Sequence, residues 1–194
     1  MRHFFLWAVA ISALCSSCET ADESILENNT LPNEVLQPQQ RVESDYNVYK
    51  NVVNSFEYDE EQSYNNNLLK FQQHVNDMLP NGNTTEVIDF TQLSLLENAN
   101  ETFINQLNYS NEIKTAIAAI LNNTFTADTL TLITNTQEFS LLNALYAMHS
   151  DANGDEGDDK WRKRKIIALA YGSQYSLTSA VLYAGAIDLM KYQD

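Results

Sequence analysis

The chain has 194 residues and a formal net charge of −15 at pH 7, and 44% of its residues are hydrophobic. This length and this hydrophobic content allow one domain with a buried core. The strong negative charge argues against nucleic acid and anionic lipid surfaces as partners, because their phosphates repel an acidic protein.

The first eighteen residues have the features of a bacterial export signal. A short cationic start precedes an apolar run over residues 4–14, which is too short to span a bilayer permanently. The sequence of residues 14–18 (LCSSC) resembles the lipobox of bacterial lipoproteins. This resemblance implies that residues 1–17 are a cleaved signal peptide and that Cys18 carries the lipid.

A lipid on Cys18 implies attachment to a membrane and a place in the cell envelope. The acidic residues at 19–23 resemble the export tag of Bacteroidetes-type lipoproteins, so we expect an outer-membrane lipoprotein on its periplasmic or surface-exposed face. A plain secretory signal cut near Ser17 and a buried N-terminal helix are the alternatives. If Cys18 is the first mature residue, Cys15 leaves with the signal, and thiol chemistry and disulfides are excluded.

Two regions follow the lipobox. Residues 18–40 are polar and contain Pro32 and Pro38, which predicts a flexible tether. In residues 41–194 apolar side chains recur at steps of three and four, and no convincing alternating strand occurs. We therefore expect an all-α domain, a single helical bundle of about six helices.

The predicted helices can be placed in chain order. The first two have apolar stripes that predict a helical hairpin. The third is capped by Asp89 or Thr91 and has a break near residues 98–100, the fourth begins at Ser110, and the sixth is capped by Thr136. The predicted segments are 42–56, 64–78, about 91–107, 110–121, 126–135, 136 to about 149, and about 158–191. Residues 126–135 are compatible with a short helix or a strand, and we expect a weak helix there.

The last predicted helix is the least charged part of the chain. Residues 166–187 carry no charged side chain and follow a cationic cluster at 160–165. Small residues recur along it as a helix-packing ridge, at Ala168, Gly172, Ser176, Ala180 and Ala184. A central helix surrounded by the others explains these features; a membrane-inserting segment or a partner-docking helix are the alternatives.

An acidic loop at residues 151–159 separates the last two predicted helices. Asp151, Asn153 and Asp155 alternate as the first ligands of an EF-hand calcium loop do. Arg162 stands where that motif places its closing glutamate. The pattern makes calcium a candidate cofactor; a solvated loop that caps the following helix is the alternative.

No catalytic residues are predicted. His74 and His149 survive signal cleavage but lie on different predicted helices, and the chain has no HExxH, GxSxG or Gly-rich phosphate loop. Thr129 lies in a tripeptide (DTL) that resembles the O-glycosylation acceptor motif of exported Bacteroidetes-type proteins. These observations do not predict an enzyme.

The helical domain resembles no functional family, so the functional expectation is broad. We expect a membrane-anchored, non-enzymatic binding or structural module that holds an unknown protein or glycan partner. One alternative is a membrane-active or toxin-like protein that uses its C-terminal helix. Another is a calcium- or metal-dependent protein that uses the loop at 151–159.

Overall fold

The structure is a computed structural model that describes residues 38–151 and 159–193. Within these ranges eight α-helices and two 3₁₀ helices are present, which confirms the all-α prediction and shows that the count of about six is too low. The α-helices are α1 (Pro38–Ser55), α2 (Tyr64–Met78), α3 (Phe90–Glu97), α4 (Asn111–Leu121), α5 (Ala127–Leu130), α6 (Thr136–Ser150), α7 (Asp159–Gly172) and α8 (Leu177–Leu189); the 3₁₀ helices are Glu101–Gln106 and Met190–Tyr192. The signal peptide, Cys18 and most of the predicted tether lie outside the described residues.

Side-chain caps determine where several helices begin. Asp89 accepts hydrogen bonds from amides of the first turn of α3, and the Ser110 hydroxyl does the same at α4. Both predicted caps are confirmed, and so is the break near residues 98–100, where α3 ends and the Asn100 side chain caps the first 3₁₀ helix. Local capping chemistry is therefore readable from this sequence.

The cap of α6 differs from the prediction. Asn135, and not Thr136, precedes the helix, and its Oδ1 atom accepts hydrogen bonds from the amides of Gln137 and Glu138 at 2.9 and 3.2 Å. Thr136 becomes the first helical residue, because asparagine is preferred over threonine as a helix cap and Asn135 stands directly before it.

The single helix predicted over about 158–191 is wrong. The chain reverses at residues 173–176, so that α7 and α8 form a helical hairpin and pack along their lengths. In the turn the Tyr175 amide donates to the Gly172 carbonyl at 2.9 Å, and the Ser176 hydroxyl accepts from the Ser179 amide at 2.9 Å. A serine in the middle of an uncharged run thus begins a new helix, because its hydroxyl caps the exposed amides.

The reversal divides the small-residue ridge between two helices. Ala168 and Gly172 lie on α7, Ala180 and Ala184 lie on α8, and Ser176 is the cap between them. All of these except half-buried Ser176 are buried. The small side chains are therefore divided between two packed helices, and they do not form one continuous stripe along a single helix.

Helix α8 lies at the centre of the described domain. Every residue from Thr178 to Leu189 is buried, and the helix packs against α1, α2, α3 and α7. The expectation of a central helix therefore holds for α8. Among the described residues no helix is both long enough and apolar enough to cross a bilayer.

The predicted hairpin of α1 with α2 is wrong. Helix α1 packs chiefly against α6, whereas α2 packs chiefly against α8. Both helices do bury their apolar stripes, with Tyr49 and Val52 on α1 and Leu68 and Phe71 on α2. A stripe shows that one face of a helix is buried, but it does not identify the helix that covers it.

Candidate functional site

A cleft of about 750 Å³ opens between the start of α6, the α7–α8 turn and the loop before α4. Its volume lies within the range of about 300–1,000 Å³ that is typical of small-ligand sites. Polar side chains form its rim: Asp45, Asn108, Asn135, Gln137, Glu138 and Gln174. Buried apolar side chains form its floor: Leu141, Ala144, Leu169 and Ala180.

Gln174 fixes one wall of the cleft. Its Oε1 atom accepts a hydrogen bond from the backbone amide of Asn108 at 2.6 Å, and its Nε2 atom donates to the Tyr171 carbonyl at 3.0 Å. The Tyr109 hydroxyl donates to the Ala170 carbonyl at 2.8 Å. These bonds hold the loop before α4 against the end of α7, so this wall is fixed by hydrogen bonds within the domain.

The opposite wall is held by α1 and α6. The Ser140 hydroxyl of α6 donates to Oδ2 of Asp45 on α1 at 2.5 Å. The Asn135 cap fixes the start of α6 beside it and leaves the NH₂ group of that side chain as a donor. Two helices that are distant in sequence thus place their polar groups on one rim.

The charged side chains of the described cleft lining are all acidic. Asp45 and Glu138 are its charged side chains, and no lysine, arginine or histidine belongs to the described lining. A ligand with a negative charge would meet two carboxylates and no compensating cation. The cleft is therefore suited to neutral or cationic polar ligands.

An exposed aromatic ring stands at the mouth of the cleft. Tyr175 in the α7–α8 turn is 66% exposed, and its ring packs edge-on against that of Tyr171, with the ring centroids 5.5 Å apart. Tyr171 in turn packs perpendicular to Tyr183 of α8 at 5.1 Å. The inner rings fix the turn, and Tyr175 offers apolar surface to a ligand.

The predicted calcium ligands are described only in part. Asp151 is present, whereas Asn153 and Asp155 lie outside the described residues. The Asp151 carboxylate accepts hydrogen bonds from Lys50 at 2.5 Å and from the Tyr46 hydroxyl at 2.6 Å, and these bonds lower the pKa of Asp151. Within residues 38–151 and 159–193 no three histidine, cysteine or acidic side chains lie close enough together to hold a metal ion.

The two histidines occupy separate surroundings. The Nε2 atom of His74 lies 3.0 Å from the Ser55 hydroxyl and 3.1 Å from the Val52 carbonyl, so it ties α2 to α1. The Nε2 atom of His149 on α6 is buried and has no hydrogen-bond partner among the described residues. Neither histidine belongs to the lining of the cleft.

The remaining predicted features are distributed over the fold. Within the cationic cluster, Lys165 pairs with buried Asp188 at 2.8 Å, and Lys163 lies 3.5 Å from Glu101. The cluster therefore neutralises acidic groups of its own domain. Thr129 is half-buried in α5, where its hydroxyl lies 3.1 Å from that of Thr126.

Sequence reasoning did not find the cleft. Its rim combines side chains from α1, the loop before α4, α6 and the α7–α8 turn, and these segments are far apart in the chain. The serine cap at Ser176 was the one local feature that could have indicated the turn, because serine is favoured at helix starts.

Comparison of the chain with protein-family models, with curated proteins and with solved structures gives no significant match. The chemistry of the cleft and the sequence of the first eighteen residues are therefore the observations that bear on function.

Proposed function

We propose that this protein is a lipid-anchored envelope lipoprotein whose helical domain is a non-enzymatic binding module. Cys18 attaches it to the membrane, and the polar cleft holds its ligand. The observation that carries the proposal is the cleft itself, with a volume of about 750 Å³, a polar rim and an apolar floor. This combination is the usual character of a small-ligand site.

The side chains of the rim favour binding over catalysis. Asn108, Asn135 and Gln137 carry amides, which donate and accept hydrogen bonds but do not ionise near neutral pH and so do not act as general acids or bases. Asp45 already accepts a hydrogen bond from Ser140. Binding needs no proton transfer from the rim, whereas acid–base catalysis would have to use Asp45 or Glu138.

The sequence of residues 14–18 supports the anchor, and fatty-acid labelling in a bacterial host tests it. We expect label on the wild-type chain and none on the Cys18→Ala variant, because the lipid is joined through the sulfur of Cys18. Label on both proteins, or on neither, contradicts the anchor; label on neither leaves a plain secretory signal.

Site-specific crosslinking tests the binding module. A photo-reactive residue at Gln137, on the rim, is compared with one at Gln73, an exposed glutamine of α2 beside a different hollow. We expect a discrete adduct in intact cells at position 137 and none at position 73. Equal crosslinking at the two positions, or none at either, contradicts a ligand in the cleft.

A further inference from the structure

We infer that the ligand of the cleft is a neutral, polyhydroxylated molecule, a short oligosaccharide. This inference rests on the proposed binding function and adds the chemical class of the ligand. Three features of the described lining carry it: the amide groups of the rim, the absence of cations and the exposed ring of Tyr175.

The amides match the hydrogen-bonding pattern of sugar hydroxyls. A hydroxyl group is both a donor and an acceptor, and the side-chain amides of Asn108 and Gln137 carry both functions as well. Asn135 contributes a donor, because its oxygen is used in the cap of α6. Asp45 and Glu138 add acceptors, which hydroxyl groups can satisfy.

The charges of the lining select against anionic ligands. Phosphate groups and uronic acids are bound in proteins chiefly by arginine and lysine or at helix N-termini. The described lining contains neither cation, and the side chains of Asn135 and Ser176 already cap the starts of α6 and α8. Asp45 and Glu138 would repel such groups at the short distances within the cleft. A neutral sugar has no such penalty.

Tyr175 supplies the apolar contact that a sugar ring requires. One face of a pyranose ring presents C–H groups, which pack against the flat surface of an aromatic side chain. The ring is 66% exposed at the mouth of the cleft, and its contact with Tyr171 limits its motion. Leu177, which is 41% exposed, extends this apolar surface along the α8 side of the cleft.

A peptide ligand fits these features less well. Peptides are bound mostly at sheet edges, in apolar helix grooves or by arginine clusters. The described lining of the cleft has no strand and no arginine, and its exposed large apolar side chains are Tyr175 and Leu177 alone. The experiment below includes a peptide so that this class can be identified if it binds.

Isothermal titration calorimetry of the full chain in detergent micelles tests the inference. The probes are maltotriose, cellotriose and chitotriose as neutral sugars, trigalacturonate as an anionic sugar, and end-blocked trialanine as a peptide. We expect saturable binding of at least one neutral trisaccharide, without hydrolysis, and weaker binding or none with the anionic sugar and the peptide.

Two tyrosine variants locate the binding. Tyr175→Ala is expected to weaken the affinity for the neutral sugar by about fivefold to tenfold, because it removes one aromatic contact. Tyr192→Ala is the matched control: Tyr192 is 51% exposed and lines a different hollow, beside Tyr58. Melting temperatures measured in parallel show whether each variant is folded, and Gln137→Ala tests the rim if Tyr175→Ala is not.

Several results overturn the inference. No binding of any neutral trisaccharide at millimolar concentration, preference for trigalacturonate or trialanine, or an equal loss of affinity in Tyr192→Ala would each do so. If the crosslink at position 137 forms while the sugars fail to bind, the ligand class is wrong and the binding module stands. If the crosslink is also absent, the proposed function fails as well.

Discussion

The Cα atom of Ala180 lies 2.5 Å from the point that a Cβ atom on Gly172 would occupy, and the Ser179 carbonyl oxygen crowds the same point. Both neighbours are backbone atoms of α8, so no side-chain rotation could relieve the overlap. The close packing of α7 on α8 at the turn therefore requires glycine at position 172.

Gly172→Ala is expected to destabilise the domain by about 1–3 kcal/mol, because α7 and α8 must move apart to admit the methyl group. Urea unfolding followed by circular dichroism measures this change. Gln73→Ala, at an exposed position of α2, serves as the control and should change stability by less than about 0.5 kcal/mol. A Gly172→Ala protein as stable as this control would show that the hairpin is not tightly packed at the turn.

Gly185 on α8 has a similar role against a side chain. A Cβ atom at this position would overlap the ring of Phe71, which is fully buried. We expect Gly185→Ala to cost about 1–3 kcal/mol. The double variant Gly185→Ala with Phe71→Leu should lose less free energy of unfolding than the sum of the two single variants, by more than about 0.5 kcal/mol. The smaller leucine side chain makes room for the methyl group.

A second double-mutant cycle, which pairs Phe71→Leu with Gly172→Ala, is the control. A Cβ atom on Gly172 would contact Ser179 and Ala180 and not Phe71. Gly172→Ala and Phe71→Leu should therefore add within about 0.5 kcal/mol in chemical denaturation. Additivity in both double variants would contradict a direct contact between Gly185 and Phe71.

Glu86 ties the loop before α3 to the start of α8. Its carboxylate accepts hydrogen bonds from the Ser179 hydroxyl at 2.8 Å, from the Ser176 hydroxyl at 3.0 Å and from the side-chain amide of Asn81 at 3.1 Å. Burial raises the pKa of Glu86, but these hydrogen bonds together outweigh burial and bring the pKa below its ordinary value of 4.5.

A lowered carboxyl pKa gives stability that is complete above the unfolded-state pKa and is lost as the pH falls through the folded-state pKa. We expect Glu86→Gln to be less stable than wild type at about pH 6, and the difference to shrink towards about pH 3. Urea unfolding across this range measures it. A difference that is constant with pH would show that the ionised carboxylate has no special role.

His149 predicts a pH dependence in a different range. Burial and the nearby charge of Arg162 lower the pKa of His149 below its ordinary value of 6.5, Asp159 opposes this shift, and Lys163 adds to it. The folded state therefore favours the neutral imidazole, whereas the unfolded chain binds a proton more readily.

The stability contributed by neutral His149 is complete above about pH 6.5 and declines as the pH falls through that value towards the lower folded-state pKa. We expect His149→Gln to lose less stability than wild type between about pH 7 and pH 5. Thermal melts in matched buffers measure both profiles. Parallel profiles for the two proteins would contradict a neutral imidazole in the folded state.

The local features of this protein follow from short stretches of its sequence. Helical spacing predicted an all-α domain, and the caps at Asp89 and Ser110 and the break near residues 98–100 were correct. These features depend on hydrogen bonds and side chains within three or four residues of one another, so a short stretch of sequence contains all the groups that decide them.

The choice of which helices pack together, and the position of the cleft, depend on contacts between distant parts of the chain. An uncharged run of small residues is compatible with one long helix or with a hairpin, and the reversal at Ser176 is favoured because it lets α8 bury every face against α1, α2, α3 and α7. The cleft depends on contacts such as that of Gln174 with Asn108, which are 66 positions apart. The free energy of such contacts comes from surfaces that meet only after the chain has folded. Periodicity along the sequence therefore does not predict which surfaces will meet.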